Sequence, residues 1–361
     1  MSEKRPDLDP HALGLADWDD LADTGWEGLL VGNGASIVVS PTFSYSSLFD
    51  VACTEGFLEK VDANLFEGFD TVNFEQILYS LRTAARVSDI MGADTEPVAS
   101  AYERIAEALG KSAHSAHVEW GYLGRRLDRI CAAIRPYDWV FSTNYDLLLY
   151  WAAQLDRYVF RDYFFNPAGI FDRFDVEVAG PATRLLFLHG GLHLWRLEDD
   201  RTMKRKREET DSLLSLVTTP PAGHPGAVPL AITEGTAEGK LRAISRSDYL
   251  TFAFDEFQSS GGPLAVFGLA FGETDSHLVS AINEWGDGRE IAISEKAAGK
   301  TKRDIEERAK QLDALFPRSV VTLYAAETHP LGDPSLRIPG FAREDSAASA
   351  AAGATTSAPT R

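Results

Sequence analysis

Short runs of apolar residues recur along this chain, each ending in glycine or in a polar cluster. They are "GLLVG" near Leu30, "WVFST" near Phe141, "YVFRDYF" near Phe160, "RLLFLHG" near Phe187, "VPLAITEG" near Ala231, "PLAVFGLAF" near Phe267, "EIAISE" near Ile293 and "VVTLYAA" near Leu323. Continuous apolar runs of this length read as strands buried on both faces. Helical patterns lie between them, among them Phe74 to Arg86, His277 to Trp285 and Thr301 to Leu315. Strands alternating with helices predict an α/β protein with a Rossmann-like, doubly wound, mostly parallel sheet.

The interval between the first run and the Phe141 run breaks this rhythm. It holds helical spacing, as in "NFEQILYSLRTAARV" and "AYERIAEALG", and little strand character. We read a helical insertion over about 51–135, forming a lid or a small subdomain; a separate helical domain is the alternative. Residues 1–25 lead into the main domain, which spans 26–342. The stretch over about 197–226 is charged, then Pro-rich, and reads as a surface loop carrying the basic run Lys204 to Arg207. Residues 343–361, low in complexity, read as a disordered tail.

Charge and cysteine content narrow the function. The 361 residues carry a net charge of -19, which disfavours nucleic acid as the main partner because phosphate binding needs a positive face. Cys53 and Cys131 are the only cysteines, too few for a four-cysteine zinc site or a secreted disulfide framework. No signal-peptide core opens the chain, and no apolar run approaches the ~18 residues that cross a membrane. These features predict a cytoplasmic protein that binds no membrane.

In a parallel sheet, ligands bind at the carboxyl ends of the strands. Four runs end there in unusual clusters: Gly32-Asn33-Gly34 followed by Ser36, "STNYD" from Ser142 to Asp146, "LHGGLH" from Leu188 to His193, and "GLAFGETDSH" from Gly268 to His277. Each has a plain structural reading. Asn-Gly is a common turn pair, Asn144 and Asp275 could each cap a helix, and His189 could be a hydrogen-bonded core histidine. Their convergence on one edge favours a ligand site instead. His189 and His193 have the spacing of two zinc ligands on a helix, but the glycines between them disfavour a helix, and no metal is expected. His114 and His117 fall on a helix expected to be exposed. No G-x-S-x-G elbow supports a serine hydrolase.

The order of these motifs resembles the sirtuin-like superfamily, and within it the bacterial sirtuin-like domains associated with NAD hydrolysis and phage defence. Gly32-Asn33-Gly34-Ala35-Ser36 is similar to the opening Gly-Ala-Gly-x-Ser turn, Ser142 to Asp146 to Thr-Gln-Asn-Ile-Asp, and His189-Gly190 to the segment that supplies the catalytic histidine. The segments Val31 to Ser36, Phe43 to Phe49 and Thr233 to Leu250 also resemble a bacterial family in that superfamily. The resemblance spans roughly Gly28 to Ala326. The chain departs from it by lacking the four-cysteine zinc ribbon, by carrying "PTFSYSSLF" in place of the arginine-bearing loop, and by replacing the late ribose-binding serine with Ala270 or Phe271. Those departures argue against an acyl-lysine peptide as substrate.

The resemblance implies an NAD glycohydrolase, with NAD as substrate and no further cofactor. Asn144 would position ribose and water. His189 would act as base. Gly32, Asn33, Gly34 and Ser36 would cradle the pyrophosphate, Asp275 would hold a ribose hydroxyl, and Thr143, Asp146, Gly190, Glu234 and Gly268 would complete the binding set. Control would come from the insertion, a homo-oligomer or a regulatory partner. A non-catalytic sensor of NAD or ADP-ribose is the alternative, and ADP-ribosyl transfer is a third.

Overall fold

The computed structural model describes residues 9–205, 220–232 and 236–338. Its centre is a seven-stranded sheet in the order β10-β9-β8-β1-β2-β4-β3. The strands are β1 (Gly28–Val31), β2 (Trp139–Ser142), β3 (Phe160–Arg161), β4 (Thr183–Phe187), β8 (Leu264–Phe267), β9 (Arg289–Glu295) and β10 (Ser319–Ala325). Every pairing in this sheet is parallel. β1 and β8 are buried along their whole length, which is why they read as unbroken apolar runs: both faces lie under helices.

The order places a topological switch between β1 and β8. From β1 the chain builds outward through β2, and it returns to the other side of β1 only at β8. Crevices at such switch points are where doubly wound sheets bind ligands.

A second sheet of three antiparallel strands has the order β6-β5-β7: β5 (Gly190–Arg196), β6 (Thr202–Lys204) and β7 (Val228–Ala231). Two expectations are corrected here. The "VPLAITEG" run does not join the parallel sheet; β7 pairs with β5, and its first two residues are exposed. The basic run is not wholly a solvated loop, because Lys204 is buried on β6 and ion-paired with Asp162. Residues 206–219, within the expected loop, and the expected tail at 343–361 lie outside the described residues.

The lead-in is part of the body. Its short helices α1 (Pro10–Leu13) and α2 (Trp18–Leu21) bring Ala16 into a bridge with Tyr324 of β10 and bury Trp18, 4.8 Å from the Tyr324 ring. After β1 come α3 (Gly34–Val39), α4 (Tyr45–Thr54), α5 (Lys60–Gly68), α6 (Phe74–Ile90), α7 (Glu96–Ala116), α8 (Trp120–Leu123) and α9 (Arg125–Ile134). The helical insertion expected over about 51–135 takes in the end of α4 and α5 to α9, and it divides in two. Residues from Ala52 to Leu109, including Phe66, Phe74, Ile77 and Ile105, close a core of their own. From Val118 onward, Leu127, Ile130 and Ile134 pack into the main core. Burying such side chains is worth roughly 1.5–3 kcal/mol each. The remaining helices are α10 (Leu148–Gln154), α11 (Ala237–Ile244), α12 (Asp248–Ser259), α13 (Ser276–Asn283) and α14 (Lys302–Leu315).

Candidate functional site

The glycines of the first turn serve the backbone. A Cβ on Gly34 would lie 2.6 Å from Cα of Gly268, and one on Gly32 would lie 2.6 Å from the Gly268 carbonyl oxygen. Gly268 itself has φ +71. The β1 and β8 loops therefore touch main chain to main chain, which only glycine permits. The contact is hydrogen-bonded, since Gly34 N–H donates to the Gly268 carbonyl at 2.8 Å and Gly32 N–H to the Phe267 carbonyl at 2.8 Å. The Ala35 and Ser36 amides donate to the carbonyls of Gly32 and Asn33. Of the residues expected to cradle a pyrophosphate, the Gly32, Gly34 and Ser36 amides are thus occupied within the protein.

Beside this contact lies a cavity of about 450 Å³. Of the residues assigned to the site from sequence, Asn33, Gly34, Thr143, Asn144, Asp146, His189, Gly268 and Asp275 line it. The carboxyl ends of β1, β2, β4 and β8 do converge. Gly32, Ser36 and Gly190 stand behind the lining. Gly190, at φ +77, lets the chain turn from β4 into β5, where a Cβ would lie 2.1 Å from the Leu230 carbonyl oxygen. Glu234 lies outside the described residues.

Asn144 follows β2 and turns its side chain across to β1. Its Nδ2 donates to the Gly32 carbonyl at 3.1 Å and to Ser36 Oγ at 3.0 Å. Because a carbonyl only accepts, the amide orientation is determined. Both Nδ2 protons are committed, and Oδ1 is buried without a protein partner. Buried polar atoms without partners are rare and call for an explanation. Ser36 passes the bond onward, donating to Asp146 Oδ2 at 2.5 Å, while Asp146 Oδ1 accepts from the Leu148 amide at 2.8 Å. Asn144 does not cap α10; Asp146, one residue before the N-cap Leu147, takes the first helical amide instead.

His189 closes β4, and its backbone carbonyl accepts from the Ile232 amide at 2.9 Å. Its Nε2 lies 2.8 Å from Nε2 of His277 on α13. Burial, the Lys240 cation and His277 together hold His189 well below the usual histidine range. Burial and Lys240 likewise lower His277 to about 3, against a smaller opposing effect of the Thr274 backbone. Two neutral rings sharing one bond need a single proton between their Nε2 atoms. With that proton on His189, His277 Nε2 accepts and His189 Nδ1 is left as the base.

Sequence reasoning missed several lining residues, among them Lys240, Glu75 and His117. Lys240 of α11 is buried, with Nζ 3.2 Å from Asp275 Oδ1 and 3.6 Å from Glu75 Oε2. Asp275 stands at the start of α13 but makes no side-chain cap, its carboxylate being directed to Lys240 instead. Glu75, from the insertion helix α6, accepts from Tyr145 Oη at 2.8 Å. His117, expected on an exposed helix, is buried just after α7. Its Nε2 accepts from the Leu147 amide and its Nδ1 donates to the Val118 carbonyl, each at 2.8 Å. Burial holds it neutral, below its ordinary value, against the opposing pull of Asp146. A lysine among carboxylates of distant segments has no local signature, so only the "TEG…K" resemblance pointed near Lys240.

Apolar walls complete the cavity: Phe43, Leu48, Phe74, Leu109 and Leu192. Four of these five come from between β1 and β2, and two of them, Phe74 and Leu109, are the insertion's contribution to the wall. The Gly268 to Asp275 loop opposite carries Phe271 at φ +51, packed 5.0 Å from Phe316. Arg308 holds that loop through the Ala270 carbonyl at 2.6 Å. Left-handed backbone at a bulky residue costs of order 1–3 kcal/mol and persists where surrounding contacts impose it.

Among the described residues, no three His, Cys, Asp or Glu side chains converge as metal ligands. His193 does not face a common site with His189: it is buried against Tyr150 and Phe187, at 4.3 and 4.5 Å between ring centres. No helix among the described residues is long and apolar enough to cross a membrane.

A parallel sheet flanked by helices, with a cavity at the carboxyl edge of its switch point, defines an α/β protein of the Rossmann-like, doubly wound class. Within that class, a family model described as a domain of unknown function, DUF4917, matches residues 29–310, and the chain belongs to that family. No curated protein matches the chain significantly.

Proposed function

We propose that the cavity is the active site of an N-ribosyl hydrolase acting on NAD, akin to the sirtuin-like NAD-cleaving domains that the motif order resembles. The observation that carries this reading is Asn144 Oδ1, an acceptor without a partner on an amide clamped by Gly32 and Ser36, lining the same cavity as the neutral His189. An acceptor held in this way fits a ribose hydroxyl or a water molecule.

The electrostatics suit the reaction. Glu75, Asp146 and Asp275 face the cavity with Lys240 as the one cation among its lining residues. The excess of negative charge favours a cationic nicotinamide ribose, and it favours the oxocarbenium character that develops as the glycosidic bond breaks. The apolar wall of Phe43, Phe74 and Leu192 suits a flat base and limits bulk water. In the step itself, a water oxygen bonds to the ribose C1′ and the C1′–N bond breaks. The electron pair leaves with nicotinamide, and the water proton passes to His189 Nδ1. The products are nicotinamide and ADP-ribose, or a cyclised form if a group of the same molecule replaces water.

Incubating the purified protein with NAD and separating the products tests the reading. Release of nicotinamide, lost in His189→Ala and Asn144→Ala, is the expected result. Bound but intact NAD in every assembly state would replace the hydrolase with a sensor of NAD or ADP-ribose.

A further inference from the structure

We propose that a groove beside the cavity is the phosphate subsite of the ligand, and that Arg82, Arg86 and Arg242 make the site selective for a nucleoside diphosphate unit. The proposal rests on the nucleotide reading above and identifies which part of the nucleotide sits where.

The groove has a volume of about 910 Å³ and shares Asn73 and Thr274 with the cavity, so the two are continuous. One wall is α6, where Tyr79, Arg82 and Arg86 follow one another at three- and four-residue steps and so share a face. The other wall is α11, which contributes Arg242. Lys240 lies two positions earlier on the same helix, and two positions turn a helix by more than half a revolution. Lys240 accordingly lines the cavity while Arg242 lines the groove.

The charges divide in the same way. Three arginines stand against Glu238 and Glu273 in the groove, an excess of one positive charge. The cavity sets Lys240 against Glu75, Asp146 and Asp275, an excess of two negative charges. Arg86 and Arg242 are exposed, and neither forms an ion pair among the described residues. On a chain of net charge -19, two exposed cations at one groove, Arg86 and Arg242, without carboxylate partners fit an anionic ligand. Arginine forks match phosphate oxygens in pairs.

The occupied glycine turn supports the same conclusion. With the Gly34, Ala35 and Ser36 amides bonded inside the protein, a diphosphate attached to a ribose in the cavity needs another anion site, and this groove is continuous with the cavity. Tyr79 and Phe69, both substantially exposed on its wall, offer aromatic faces beyond the phosphates. A nucleic acid would require a longer positive track than three arginines within an acidic protein.

The test is calorimetric titration of the full chain with ADP-ribose, nicotinamide riboside and inorganic pyrophosphate, repeated on Arg86→Ala/Arg242→Ala. ADP-ribose should bind at least about tenfold more tightly than nicotinamide riboside, with affinity falling as salt rises. The double variant should lose about tenfold or more toward ADP-ribose and pyrophosphate, the fold-change that hydrogen bonds to a charged group carry. Its thermal midpoint should match wild type, since both side chains are exposed. Equal ADP-ribose affinity in wild type and variant overturns the proposal, as does equal binding of the riboside or no binding of ADP-ribose. Arginine-dependent binding of ADP-ribose by a protein that leaves NAD intact keeps the groove and removes the hydrolase. Cleavage of NAD with no dependence on the arginines does the opposite.

Discussion

Glu75 Oε2 lies 3.6 Å from Lys240 Nζ, although 165 residues separate them and they belong to different layers of the molecule. Glu75 comes from the inserted helices and Lys240 from a helix flanking the parallel sheet. The contact fastens the insertion over the carboxyl edge of the sheet. Lys240→Met removes the cation between Glu75 and Asp275 and leaves two carboxylates short of a partner. Breaking a buried pair in this way typically costs 3–5 kcal/mol. A denaturant titration should show a loss of that order. A change below about 1 kcal/mol would mean that the two carboxylates find water instead.

Ser36→Ala should behave differently. It removes the hydroxyl joining Asn144 to Asp146 and deprives a buried carboxylate of one donor. Hydrogen bonds to charged groups are worth about 1.5–3 kcal/mol. Stability should fall by that amount, and nicotinamide release should fall with it as the Asn144 amide loses its second anchor. An unchanged rate of nicotinamide release in a folded Ser36→Ala protein would show that Asn144 needs only Gly32 to hold its position.

His189 should not titrate near neutrality. Its charged form is disfavoured by burial, Lys240 and His277, so the ring should remain neutral through the physiological range. Nitrogen chemical shifts should report Nε2 protonation and a bare Nδ1 from pH 8 down to pH 6. His189→Ala should reduce nicotinamide release by roughly 10²–10⁴-fold, the usual contribution of a positioned base. A ring protonated at Nδ1 would transfer the base role to another group.

Acid should destabilise the fold before the carboxylates titrate. His117, His189, His193, His277 and His329 are all buried with lowered values, His277 and His329 at about 3. The unfolded chain takes up these protons near pH 6.5 and the folded chain does not. Their contribution is therefore complete above pH 6.5 and is lost as pH falls toward the folded values. Each contributes a slope of about 1.4 kcal/mol per pH unit within that window. Unfolding midpoints measured from pH 7 to pH 4 should fall steeply below pH 6.5, and a flat profile would show that the rings are protonated in the folded state.

Gly34→Val and Gly272→Ala form a steric pair. A Cβ at Gly34 enters the Gly268 main chain, while one at Gly272 meets nothing within 4 Å at an ordinary φ of -70. Gly34→Val should destabilise the fold by well over 1 kcal/mol as the β1 and β8 loops are forced apart. Gly272→Ala should stay within about 0.5 kcal/mol of wild type. Thermal melts of the two variants compare them directly.

The strand runs themselves determined the layered α/β architecture, because a strand buried on both faces must be apolar along its whole length and no tertiary detail alters that. They also determined that the polar clusters at Asn33, Asn144, His189 and Asp275 share an edge, since parallel strands all end on the same side. Other features depended on pairs that sequence does not link. The glycine turn has the composition of a phosphate cradle, but its Gly32 and Gly34 amides bond to the Phe267 and Gly268 carbonyls, a contact fixed only by the adjacency of β1 and β8. The run at β7 has the apolarity of a central strand, yet its partner is β5, because Gly190 turns the chain out of the main sheet. Lys240, Glu75 and His117 looked like residues of ordinary helices. They reach the cavity because the insertion folds back over the sheet, and that return is decided by packing between segments more than a hundred residues apart.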